Sequence, residues 1–304
     1  MKFLLFTDFH HAPGLFMGGD KKDLSLFQRL ALKNQCDFII HAGDFLHDYD
    51  LSAGIIKAYN EFCIPSYHCF GNHDTNFSGY EKMLEAYGLE RGYYFFDCCG
   101  YRFIVYDANY LIDENGGYVP FSFRNYVGVP NESIYVMPPE ELDWLRRTIE
   151  GSENPCVLIG HESIERTADG IRNRDEILKI INEANEKKRH SVLMCINGHY
   201  HRNNITILDN VCYLDMNSVK FDWVDKSHRL YPEELLSSIK YMKNSVVYND
   251  PLYAIITLEG TTIKIEGTES DMFMGVRRED TGNPKYDRMG RAVIPRVQSA
   301  EFTL

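Results

Sequence analysis

Five times along the chain a short apolar run stops abruptly at Asp, Asn or His. Lys2 to Thr7 leads into Asp8-Phe9-His10, and Phe38 to His41 into Gly43-Asp44. Ser66 to Phe70 leads into Gly71-Asn72-His73-Asp74, Cys156 to Ile159 into Gly160-His161, and Ser191 to Ile196 into Asn197-Gly198-His199-Tyr200-His201. Runs of this length, rich in β-branched and aromatic residues, read as buried strands. In an α/β sheet, ligands bind beyond the C-terminal ends of the strands. A fold that satisfies the pattern brings five strand ends to one place.

Between the first three runs lie helical periods. Leu24, Phe27, Leu30 and Ala31 share a face of a helix over 23–35. Leu51, Ile55, Tyr59 and Phe62 share one on a helix that Asp50 can cap. This βαβαβ opening predicts a parallel sheet at the start. A hairpin is expected around Cys99-Gly100, and a helix from Pro138-Pro139 carries Leu142, Leu145 and Ile149. Asn173 with Glu176 has capping-box spacing for the helix that bears Ile177, Ile180 and Ile181. Beyond residue 201 the texture changes to short strands, 205–208 with 211–214 and 253–258 with 262–266, which predict a second, largely antiparallel sheet. Residues 1–270 are expected to form one domain with insertions at about 108–138 and 219–250, and 271–304 a tail packed on it.

The chain has 304 residues and is 44% apolar, sufficient for a full core. A net charge of -12 argues against a broad nucleic-acid-binding surface or affinity for anionic membrane. Eight cysteines without CxxC spacing are expected as free thiols in a reducing cytoplasm. Asp8 and His10 interrupt the apolar start too early for a signal peptide, and no stretch approaches the roughly 20 apolar residues of a membrane span.

The strand-end residues carry the chemistry. Asp-x-His and His-x-His spacing puts both side chains of a pair on one side of extended backbone, so each pair can grip one ion. Glycine before Asp44, Asn72, His161 and His199 lets the backbone turn sharply. Carboxylate, imidazole and amide oxygen suit divalent Mn, Fe, Zn or Co. Seven such groups are too many for one tetrahedral zinc, which takes about four ligands, and suit two ions sharing a bridge.

In residues, order and strand context, these five blocks resemble the calcineurin-like metallophosphoesterase superfamily over the first two-thirds of the chain. The resemblance implies an α/β fold of two facing mixed sheets flanked by helices. It implies one metal held by Asp8, His10, Asp44 and His201 and a second by Asp44, Asn72, His161 and His199, with Asp44 bridging. It further implies a metal-bridging hydroxide that attacks phosphorus, His73 as the general acid and Asp74 as the carboxylate that fixes its tautomer. Asn72 is also a candidate phosphate contact. One departure is His47, where the family often has Asp or Arg, with Asp48 beside it as a structural substitute. The absence of tyrosine at that position counts against the purple acid phosphatase branch.

Other residues have two readings. His11 faces either substrate or solvent. Tyr118, Phe121, Phe123 and Tyr126 with Arg124 either stack on a nucleoside and hold its phosphate or anchor their own loop. His41, His68, His190 and His228 read as structural or surface, and Arg277, Arg278, Lys285, Arg288 and Arg291, interspersed with acids, as a solvated or domain-packing run. The expected protein is a cytoplasmic, two-metal hydrolase of phosphodiesters or phosphomonoesters of small molecules or nucleotides. The alternatives are a nucleotide pyrophosphatase of the same fold and a non-catalytic metal-binding scaffold.

Overall fold

The computed structural model describes residues 1–224, 229–281 and 292–304. Strand β1 (Lys2–Phe6) runs parallel to β2 (Phe38–His41), and β2 runs parallel to β3 (Ser66–Tyr67), with α1 (Lys21–Lys33) and α2 (Tyr49–Asn60) as crossovers. Along β1 the side chains alternate. Phe3 and Leu5 enter a core shared with the second sheet, whereas Leu4 and Phe6 pack with Phe27 and Tyr59 of the helices. Burying one such side chain stabilises the fold by about 1.5–3 kcal/mol. The expected third strand reached Phe70, but β3 pairs on one edge only and stops at Tyr67, after which Cys69 and Phe70 are buried without ladder bonds.

After α3 (Tyr80–Tyr87), β4 (Tyr94–Cys98) and β5 (Tyr101–Val105) form the expected hairpin, with Cys99 and Gly100 both at positive φ. Residues 108–138 hold a small hairpin, β6 (Tyr110–Ile112) with β7 (Tyr118–Pro120), around Leu111, Phe121 and Ile134. Helix α4 (Pro139–Glu150), β8 (Cys156–Ile159), α5 (Arg174–Lys187) and β9 (Val192–Asn197) follow. β5, β8 and β9 lie parallel, and α4 and α5 cover their outer face with Leu145, Ile177 and Ile181.

The later strands differ from expectation. The hairpin β10 (Asn204–Leu208) with β11 (Val211–Asp215) joins β9. The segment 219–250 contributes β12 (Phe221–Trp223), α6 (Glu233–Ser238) and β13 (Ser245–Val247). A further hairpin, β14 (Ala254–Glu259) with β15 (Thr262–Gly267), joins the other side of β1, and β16 (Ala300–Thr303) completes that edge. The two hairpins are thus divided between sheets of order β16-β15-β14-β1-β2-β3 and β10-β11-β9-β8-β5-β4. Both sheets are mixed, they face one another, and helices cover both outer faces.

Two helix caps also differ. The α2 cap is Asp48, whose carboxylate accepts from the backbone of Asp50 and Leu51, while Asp50 lies inside the helix. Asn173 makes no cap bond because its side chain exchanges two hydrogen bonds with the Met137 backbone. A reciprocal capping box does start α1, between Asp20 and Asp23. Among the described residues no helix is long and apolar enough to cross a membrane. His228, Lys285, Asp287, Arg288 and Arg291 lie outside the described residues. Arg277 pairs with Asp280 on the surface.

Candidate metal centre

Backbone pairing continues past the strand ends and sets the polar residues in register. Asp8 and His10 donate their amides to the carbonyls of Gly43 and Asp44, at 3.1 and 2.9 Å. In the second sheet Gly160 donates to Ile196 and Gly198 to His161, each at 3.0 Å. The two sheets then lock together: the His199 amide donates to Asp8 Oδ2 at 3.0 Å, and His161 Nδ1 donates to the Ala42 carbonyl at 2.8 Å.

Asp8, His10, Asp44, His199 and His201 all adopt positive φ, between 45 and 73°. Non-glycine residues rarely do so, and such conformations cluster where function over-determines them. Gly43, at φ +90°, has a second constraint, because a Cβ there would lie 2.4 Å from His161 Nδ1.

Three donor groups result: His10 with His47 and His73 is one, and the two that hold the carboxylates are Asp8, His10 and His201, and Asp44, His161 and His199. Asp44 Oδ2 lies 3.6 Å from His10 Nε2 and 3.1 Å from His161 Nε2. Asp8 Oδ1 is 3.1 Å from His201 Nε2 and 3.7 Å from His10 Nε2. The His10 and His201 Nε2 atoms approach to 3.2 Å. The other Asp44 oxygen accepts from the His73 amide at 2.7 Å.

These residues fit a pair of divalent cations. The ring Nδ1 of His161 donates to Ala42 and that of His201 to the Phe221 carbonyl, so each directs Nε2 inward as a neutral ligand does. Asp8 Oδ1, His161 Nε2 and Asn72 Oδ1 are buried and make no hydrogen bond. The Asn72 amide nitrogen donates to the Tyr126 hydroxyl at 3.3 Å, which leaves the oxygen as its donor atom toward an ion.

Burial alone would raise the Asp8 carboxyl, but His201, His10 and His161 hold it well below its ordinary range. Burial opposes the charged form of His161, yet Asp44 and Asp8 hold that ring well above its usual value. The same negative field would attract a cation. Burial and the His161 charge push His199 down to about 3, keeping it neutral for ligation.

A family model for calcineurin-like phosphoesterases matches residues 1–203, a span that contains all seven donors. The chain belongs to that family. No curated protein matches it. Among solved structures, this calcineurin-like phosphoesterase is similar to a dimetal phosphatase from Danio rerio at 12% identity and a TM-score of 0.60, covering 91% of this chain and 99% of that one. It is also similar to PhoD, at 14% identity and a TM-score of 0.51, covering 100% and 68%. A third neighbour is GAP50, "the anchor in the inner membrane complex of Plasmodium", at 12% and 0.52, covering 91% and 86%. At these identities the likeness speaks for the fold.

Other expected site residues are placed differently. His73 abuts the donors, with its ring centroid 4.7 Å from that of His10. Asp74 makes no hydrogen bond with the His73 ring. Its carboxylate is fully buried and accepts from the amides of Leu46 and Gly71 at 2.9 and 2.8 Å, which makes it a brace for two loops of this phosphoesterase. The partner of His73 is His47, Nδ1 to Nδ1 at 2.5 Å. His11 turns away to bond the Gly19 carbonyl and lines a separate surface cleft. Phe121 is buried in its own loop and Phe123 is exposed, so neither reaches the centre, whereas Arg124 and Tyr126 line the cleft beside it. Phe16, Trp223 and Tyr241, which the sequence did not mark, line the same cleft. His41 and His68 are buried in a directed chain: the Gly43 amide donates to His41 Nδ1, His41 Nε2 to His68 Nδ1, and His68 Nε2 to Asn60 Oδ1.

Proposed function

We propose that the protein is a two-metal hydrolase of phosphodiesters or phosphomonoesters of small molecules, nucleotides included. The observation that carries this reading is that Asp44 Oδ2, which belongs to the group with His161 and His199, also lies 3.6 Å from His10 of the Asp8 group, with the His73 amide bonded to the other Asp44 oxygen. Asp8, His10 and His201 would hold one cation and Asn72, His161 and His199 the other, with Asp44 shared. Mn, Fe and Zn all suit these ligands. When bound, two such ions activate water and neutralise phosphoryl oxygens.

The protein's own residues do the rest. The Asp44 carboxylate orients the His73 backbone. The His73 ring, held neutral mainly by burial, can present an N–H to the leaving oxygen or to the phosphoryl group. The eight free cysteines and the net charge of -12 support a cytoplasmic enzyme acting on small phosphorylated molecules rather than on a nucleic-acid backbone.

The test is hydrolysis of bis(p-nitrophenyl) phosphate and p-nitrophenyl phosphate by Mn-loaded protein, with His73→Ala as control and metal content measured alongside. About two ions per chain and turnover that depends on His73 are expected. A chain that takes up no metal after supplementation and cleaves neither ester would instead be a scaffold of this fold.

A further inference from the structure

Three parts of the chain with no common sequence pattern meet beside His73. Phe16 comes from the loop after β1, Arg124 and Tyr126 from the 108–138 segment, and Trp223 and Tyr241 from the 219–250 segment. They line a cleft of about 320 Å³ that reaches His73 and His47, near the lower limit of small-molecule sites.

The cleft carries two chemistries. One is aromatic: Phe16 stacks on Tyr241 at 4.8 Å and meets Trp223 edge-on at 5.4 Å, while Trp223 lies within 24° of parallel to the His73 ring. Trp223 and Tyr241 are only half-buried, and the Lys240 ammonium lies over the Tyr241 ring, 5.0 Å from its centroid. The other is cationic. Arg124 is exposed and forms no ion pair among the described residues, in a chain of net charge -12. It sits at φ +61° directly after Phe123 at +50°, on a turn tied down by the Phe123 amide bonded to the Thr75 carbonyl. A guanidinium beside an aromatic wall matches a planar heterocycle that carries phosphate.

We propose that this cleft binds the part of the substrate beyond the scissile phosphorus, and that the substrate class is nucleoside diphosphates and their esters. The base lies against Trp223 and Tyr241, and the second phosphoryl group pairs with Arg124. This rests on the phosphoesterase reading. The reaction is hydrolysis: a P–O bond forms to water oxygen, the P–O bond to the leaving phosphate or alkoxide breaks, and the water proton ends on the leaving oxygen.

The chain contains two tryptophans, and the other one, Trp144, packs on Tyr93 at 4.8 Å. Trp144→Phe therefore leaves Trp223 as the sole reporter. Metal-loaded W144F is titrated with the non-cleavable α,β-methylene-ADP, with adenosine and with methylenediphosphonate, and each preparation is assayed on bis(p-nitrophenyl) phosphate. Saturable quenching by methylene-ADP is expected, at least about tenfold tighter than by either half-ligand, with Arg124→Ala weakening it about tenfold. Methylene-ADP that leaves Trp223 emission unchanged, or binds R124A as tightly, overturns the subsite even when the diester is cleaved. Loss of all ester cleavage overturns the phosphoesterase reading instead, and the fluorescence still scores the subsite.

Discussion

The Nδ1 atoms of His47 and His73 lie 2.5 Å apart, so one ring must donate to the other. If His47 donates, His73 keeps its proton on Nε2, the tautomer that can give a hydrogen bond to substrate. His47→Ala is then expected to lower diester turnover by about 10- to 100-fold at unchanged metal content. His47→Gln, which retains a donor, should recover much of the loss. Metal loss in both variants would place His47 among the ligands.

Asp44→Ala is expected to empty both metal positions together, because Oδ2 faces His10 as well as His161. Elemental analysis of dialysed protein decides this. Retention of one full equivalent would contradict a shared carboxylate.

Asp74 holds Leu46 and Gly71 by their amides. Asp74→Ala leaves both buried donors unpaired and should cost about 2–4 kcal/mol in urea unfolding. Metal-loaded D74A assayed well below its melting temperature should lose less than about tenfold in turnover. A loss matching that of His73→Ala would return Asp74 to a catalytic role.

Burial pushes His68 down to about 3, so it stays neutral in the folded protein while the unfolded residue titrates near 6.5. The group's contribution is intact above about pH 6.5 and falls as pH drops from there toward 3, by about 1.4 kcal/mol per pH unit. Thermal melts of metal-free protein between pH 8 and 4.5 should show a steeper acid loss for the wild type than for His68→Gln. Parallel curves would mean that His68 titrates alike in the folded and unfolded chain.

The seven metal-donor candidates were legible because their signal is local: a strand, a glycine or a tight spacing, and a chelating side chain. The crossovers between β1, β2 and β3 were legible for the same reason, through helical period. What escaped depends on approach across the chain. Nothing near Trp223 or Tyr241 marks them as neighbours of His73, and their segment has no period to follow. His47 stood out in sequence as a departure, but its contact with His73 needs the folded loop. The short hairpins were read correctly as hairpins and wrongly as one sheet, because alternation specifies a strand's two faces and not its neighbour. Asp74 was misassigned because adjacency in sequence was taken for contact, whereas its oxygens turn back to the backbone.

The strand that leads into Asp8 has neighbours of very different sequence distance. On one edge β1 meets β2, and the Lys2 amide reaches Asp37, 35 positions on. On the other it meets β14, where the Met1 amine reaches the Leu258 carbonyl across 257 positions. Closing that second loop costs more chain entropy and delays the contact. During synthesis the ligand-bearing strand therefore waits with one edge bare until residues 254–259 have emerged. A ribosome stalled short of that point would display an open template for strand addition beside the half-built metal centre.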